Sequence, residues 1–181
     1  MNKKFKLLLL DTGIVIGLHD LKLWDQVVEA CEIILPETVV EEAKFCGKSA
    51  EYQEDIDLAP AINAGRIKTI SVDTNGLEAF RLQFDPTYLE RLDPGETEAL
   101  AYLTTHAETC LVCSADAIVF KVLGRLHRGE QGISLEAILS RIGFGRKLEE
   151  WRFTEAFRQR YTKEGQTDML TGRGLKKKPG R

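Results

Sequence analysis

Apolar residues along this chain fall into short blocks whose spacing switches between strand-like and helix-like. Leu7-Leu8-Leu9-Leu10 is an unbroken apolar run closed by Asp11, the pattern of a strand buried on both faces. Thr12-Gly13 reads as the turn after it. Residues 14–18 stay apolar, and Leu21, Leu23, Trp24, Val27 and Val28 fit a helix. A short strand at 33–35 ends at Pro36. Thr38 with Glu41 three positions on predicts a capping box, opening a helix over 39–45. A second helix is expected over 51–64, stopped by Gly65, and then a strand over 67–72. Two short helical pieces follow, at 77–83 and 88–91.

The strongest punctuation comes next. Asp93 as N-cap, Pro94 at the first helical position and Glu96 in the first turn start a helix that runs to about Thr105. Residues 110–113 read as another buried strand, 117–127 and 135–142 as helices, and Gly143 as a stop. Leu148, Trp151, Phe153, Phe157 and Tyr161 recur at roughly helical spacing, which predicts an amphipathic helix over 146–161. Beyond about Gly165 the chain reads as irregular. Strands alternating with helices predict an α/β fold, a three-layer α/β/α sandwich around a central parallel sheet. The expected organisation is one domain over 1–143, a helix packed on it within 144–164, and a flexible basic tail over 165–181.

Length and composition agree with one core: 181 residues, 43% of them hydrophobic. The formal charge of −3, from 28 acids against 25 bases, does not announce a nucleic-acid binder. Its distribution says more, because residues 173–181 carry only basic charge. That tail is either a solvated terminus or an arm for a phosphate backbone. Lys3-Lys4 before the leucines is not followed by a long enough apolar run or a small-residue cleavage site, so the reading is cytoplasmic with no membrane segment. Cys110 and Cys113 have CxxC spacing, but inside a strand positions i and i+3 face opposite sides, which is wrong for one metal. The four cysteines, with Cys31 and Cys46, read as free thiols. His19, His106 and His127 are scattered and read as ordinary residues.

Four acids stand where an element meets the end of an apolar run: Asp11, Glu42, Glu96 and Asp116. The strands of a parallel sheet share one carboxyl edge, where α/β sheets build their sites. Carboxylates gathered there repel one another unless a hard cation neutralises them, and oxygen donors suit Mg²⁺ or Mn²⁺. Helical spacing puts Glu42 on a stripe with Val39, Phe45 and Cys46, and Glu96 on one with Ala99, Leu100 and Leu103. Glu98 lies on a more mixed face. Plain capping accounts equally for Glu96 beside Asp93 and for Asp116 before its helix. Asp11 has no such ordinary role in the sequence.

Four segments, in order, resemble the motifs of PIN-domain nucleases. They are Leu8-Leu9-Leu10-Asp11-Thr12-Gly13, Leu35-Pro36-Glu37-Thr38-Val39-Val40-Glu41-Glu42, Gly95-Glu96-Thr97-Glu98-Ala99 and Leu111-Val112-Cys113-Ser114-Ala115-Asp116. The resemblance implies Asp11, Glu42, Glu96 and Asp116 as catalytic metal ligands for Mg²⁺ or Mn²⁺, with Glu98 as the alternative ligand. Thr12 and Ser114 would be hydroxyls supporting them. It further implies an endoribonuclease acting on single-stranded RNA, of the branch that includes toxins of toxin–antitoxin pairs. An antitoxin protein and a homodimer are the expected partners. Ala115 stands where many members have a further acid, the third motif carries Glu rather than the commoner Asp, and the segment after Gly143 matches nothing in the family.

Other readings compete. A strand ending in Asp also opens haloacid-dehalogenase-type phosphatases, but that chemistry needs an acid two residues on, where this chain has Gly13. The non-enzyme alternative is a degenerate member of the same fold that binds RNA or a partner protein without cleavage, supported by Ala115.

Overall fold

The computed structural model describes residues 4–9, 11–46, 54–106 and 110–174. Its centre is a parallel sheet of β1 (Phe5–Leu9), β2 (Cys31–Pro36), β5 (Ile67–Ile70) and β6 (Leu111–Cys113), in the order β5-β2-β1-β6. Leu8 pairs with Ile34 on one side and Val112 on the other. Successive residues of a strand face opposite sides, and here each side carries its own core. Leu7, Ile33, Leu35 and Cys113 join a cluster with helices α1 (Thr12–Asp20), α2 (Trp24–Ala30) and α9 (Leu135–Arg141). Leu8, Ile34, Ile70 and Val112 join a second cluster with α5 (Thr74–Arg81), α7 (Pro94–Thr105), α8 (Ala117–Arg125) and α10 (Glu155–Thr171). The α/β sandwich expected from the alternation is therefore the fold. Burial on both faces explains why these strands are runs of Leu, Ile and Val rather than alternating patterns.

Several boundaries differ from the sequence expectation. Helix α1 starts at Thr12, with no turn between it and β1, because Asp11 is its N-cap. Helix α3 (Glu37–Glu42) is capped at Pro36 without a side-chain bond, and the box expected from Thr38 and Glu41 does not form. Thr38 Oγ1 is buried without a hydrogen-bond partner among the described residues and would meet any Cβ added at Gly95, so tertiary packing has overridden the local cap. In place of a helix over 51–64, the short antiparallel pair β3 (Phe45–Cys46) and β4 (Glu54–Asp55) precedes α4 (Ala59–Asn63); residues 47–53 lie outside the described residues. A short α6 (Pro86–Leu89) follows α5.

The C-terminal segment departs most. Residues 146–150 are not helical; a 3-10 turn at Trp151–Phe153 comes next, and α10 begins after the Thr154 cap. Phe153 is drawn into the first cluster, and that bends the chain before the helix can start. The expected irregular tail from Gly165 is instead continuous helix to Thr171, closed by Gly172 in the left-handed conformation. Gly165 and Gly124 mark where α10 lies against α8. A Cβ at Gly165 would collide with the Lys121 carbonyl, and one at Gly124 with that of Thr162. Gly165, beyond which the chain was expected to be irregular, is instead a helix–helix contact. Residues 175–181, which carry the rest of the basic tail, lie outside the described residues.

Cys31, Cys110 and Cys113 are buried, with Cys110 and Cys113 in opposite clusters. Among the described residues no helix is long and apolar enough to cross a membrane.

Candidate functional site

The acidic residues gather at the carboxyl edge of the sheet. Strands β1 and β6 are parallel neighbours in register through Leu9 and Cys113, so the segments that leave them, carrying Asp11 and Asp116, leave on the same edge. Asp11 uses both carboxylate oxygens. Oδ1 accepts the Gly13 amide at 2.6 Å, which caps α1, and Oδ2 accepts the Ala115 amide at 3.1 Å, which ties β1 to the β6–α8 turn. Capping is thus an ordinary structural role for Asp11 that its sequence context did not reveal.

Ser114, buried in the same turn, accepts the Asp116 amide at 2.9 Å, and its hydroxyl donates to Glu96 Oε1 at 3.4 Å. Asp116 is exposed and caps α8 through Oδ1 to the Ile118 amide, 3.0 Å. Glu96 also has two tasks. It completes a capping box with Asp93, accepting the Asp93 amide on Oε2 at 3.2 Å, while Oε1 faces Ser114. Its pKa is raised to about 8, first by burial, then by the charges of Asp93 and Asp116, and to a smaller degree by Asp11; the Asp93 amide works the other way. At neutral pH this carboxyl is mostly protonated. The negative field of three other acids reaches one buried group, and Asp93 is the member that the sequence reading had given only a cap.

Glu42 is not on the core-facing stripe. The helix ends with it, its expected partners Phe45 and Cys46 are in β3, and its side chain is exposed. It still meets the site, because Thr12 Oγ1 donates to Glu42 Oε2 at 3.0 Å. Glu98, the alternative ligand, is buried and turned to the Val72 amide at 2.9 Å, where it holds the end of β5 to α7.

Hydrogen bonds therefore string Asp11, Asp116 and Glu96 around Ser114 and Ala115, with Glu42 joined through Thr12. They do not form a ready cage: among the described residues no group of three or more His, Cys, Asp or Glu is placed to hold a metal ion. The donor set is all oxygen, which suits a hard cation. Cys113 lies behind it as an inert thiol, pushed up by burial and then by Asp11. No family model, no curated protein and no solved structure matches this chain.

Proposed function

We propose that the protein is a Mg²⁺- or Mn²⁺-dependent endoribonuclease of PIN-like type that cleaves single-stranded RNA at the edge carrying Asp11, Glu42, Glu96 and Asp116. The observation that carries this reading is the Glu96 carboxyl, buried and pushed to about 8 by burial and by Asp93, Asp116 and Asp11. Burial, with the neighbouring carboxylates adding to it, disfavours the charged form of Glu96, and a divalent cation held there would offset that cost. Asp11, Glu42, Glu96 and Asp116 would hold it; Mg²⁺ needs few protein ligands and keeps several waters, so four acids exceed its needs. Once bound, the ion supplies a water of lowered pKa and neutralises charge on the scissile phosphate.

The chain's own part is positional. Ala115 and Gly13 fix the Asp11 carboxylate, Ser114 fixes the spacing of Glu96 and Asp116, and Thr12 restrains Glu42. Glu96 holds its proton at neutral pH in the empty site, and as a ligand it would be needed in its ionised form. A toxin role, with an antitoxin partner and homodimeric assembly, belongs to the same proposal and rests on the motif resemblance alone.

A second reading has its own support. Asp11, Glu96 and Asp116 each serve as caps, which a fold would keep without any catalysis. A non-cutting PIN-like protein that binds RNA or a partner would look the same. Incubation of mixed single-stranded RNA with the protein and Mn²⁺ or Mg²⁺ separates the two. Cleavage that is abolished by EDTA and by Asp11→Asn is expected; RNA left intact at high enzyme concentration with either ion would rule out the nuclease.

A further inference from the structure

The cleft that α10 builds against α8 opens beside Asp116. One part, of about 250 Å³, is walled by Tyr88, Arg91, Lys121 and Tyr161 and by the first turn of α8. A second, of about 440 Å³, continues along α10 past Arg160 and Lys163, and the two share Lys121, Asp168 and Arg173. Five cations line them: Arg91, Lys121, Arg160, Lys163 and Arg173. Three acids oppose them: Asp116, Glu164 and Asp168.

Glu164 is shared between Lys121 at 2.8 Å and Arg160 at 3.2 Å, and Arg173 stands 3.9 Å from Asp168 with its side chain 79% exposed. Arg91 and Lys163 have no ion-pair partner among the described residues. A sixth cation lies beneath. Arg125 is buried under the Tyr88 ring, 5.1 Å from its centroid; it donates to the Arg173 carbonyl, and its Nη2 has no hydrogen-bond partner among the described residues.

Aromatic faces continue the same track. Trp151 is 46% exposed and 6.0 Å from Tyr161, Arg160 lies over both rings, and Lys121 lies 5.5 Å from the centre of Tyr161. Cations that follow a backbone, interleaved with rings on which bases stack, are what single strands require. An acidic peptide would satisfy the charges and leave the rings unused.

We infer that the α8–α10 cleft is the bed for a single-stranded RNA backbone, leading it to the acidic edge at Asp116. The choice of RNA rests on the ribonuclease reading. The positive bed answers a difficulty of that edge: its carboxylates repel phosphate, so an approaching strand has to be held from one side.

The test is fluorescence anisotropy with a fluorescein-labelled oligouridylate, in EDTA to prevent cleavage, across a salt series. Replacing Arg91, Lys163 and Arg173 together by Ala is expected to weaken binding about tenfold at moderate salt, and to lower the log–log salt slope by about 2, at roughly 0.7 per lost phosphate contact. Trp151→Ala should weaken binding about fivefold or more with the slope unchanged. Arg146→Ala with Lys147→Ala, exposed cations outside the cleft, should leave both quantities alone. If the triple variant melts below assay temperature, Lys163→Ala alone should still lower the slope by about 0.7.

Binding absent in the parent, a slope unmoved by the cleft variants, an equal loss in the control pair, or a preference for duplex RNA would each overturn the inference. Cleft-dependent binding with no cleavage in Mg²⁺ or Mn²⁺ would remove the nuclease and leave the cleft standing. Cleavage at an unchanged rate in the triple variant would remove the cleft alone.

Discussion

Asp11 and Ala115, 104 positions apart in sequence, are joined by a 3.1 Å hydrogen bond from the Ala115 amide to Asp11 Oδ2. The bond closes the carboxyl edge between β1 and its outer neighbour β6 and sets where the acids of the two strands stand. Because Oδ1 is already occupied by the Gly13 amide, both oxygens are needed. Asp11→Ala should therefore cost about 1–3 kcal/mol, through a lost cap and a part-buried amide left unpaired. Urea unfolding of the two proteins measures it. Asp11→Asn, with a single acceptor oxygen, should lose less.

Divalent cations should raise the melting temperature. A ligand that binds only the folded chain stabilises it by about 2.7 kcal/mol at 100 times its Kd, which for a chain of this size is about 5–10 °C. Thermal scans with Mn²⁺ and Mg²⁺ should show such a shift in the parent and its absence in Asp11→Asn. Equal shifts in both proteins would place the ion elsewhere.

Glu96 gives the apo protein a pH dependence of definite sign. Its carboxyl titrates near 4.5 in the unfolded chain and near 8 in the fold, so folding takes up a proton between those values. Stability should fall as pH rises from about 4.5 to about 8, and level off above. Glu96→Gln removes that ionisation. It should leave stability nearly unchanged at pH 4.5 and raise it by about 2–4 kcal/mol at pH 8 in EDTA. Denaturant midpoints at the two pH values decide the matter, and a variant equally stabilised at both would refute the assignment.

Some of this was readable in the chain. Leu7-Leu8-Leu9-Leu10 and the 110–113 segment pointed to buried strands, and Asp93-Pro94 to a helix start, because those signals are local. The start of α1 was hidden, since Ile14-Val15-Ile16 has no helical period and nothing local marked Asp11 as a cap, which is the role the structure gives it. Glu42 was misplaced because its supposed neighbours Phe45 and Cys46 belong to a strand. Asp93 could not be recognised as part of the acidic group, because its effect on Glu96 depends on burial. The cleft against α8 was invisible for the same kind of reason: Lys121, Tyr161 and Arg173 meet only once α10 docks.

That docking depends on two missing side chains. At Gly165 and Gly124 the α8 and α10 backbones approach so closely that any Cβ strikes a carbonyl of the other helix. Helix propensity favours Ala over Gly by about 1 kcal/mol, yet Gly165→Ala should destabilise by about 2–4 kcal/mol, because overpacking against backbone outweighs propensity. Chemical denaturation checks the sign. A stabilised Gly165→Ala would show that the helices are not in contact there.

The last turn of the chain separates two roles for the basic terminus. Gly172 closes α10, the Arg173 carbonyl receives Arg125, and the Gly174 carbonyl accepts the Asp85 amide at 2.9 Å. Residues 172–174 are thus part of the folded body rather than an arm. Removing 172–181 should destabilise the protein by about 1–3 kcal/mol, since a buried guanidinium and an amide lose their acceptors. Removing only 175–181 should leave the melting temperature within about 1–2 °C of the parent, because the cap and both bonds survive. If Lys176, Lys177, Lys178 and Arg181 also touch RNA, the shorter truncation should flatten the salt dependence of oligouridylate binding by as much as about 0.7 per cation. Equal slopes with and without 175–181 would assign the electrostatic contact wholly to the folded protein, and the α8–α10 cleft variants would then account for what remains.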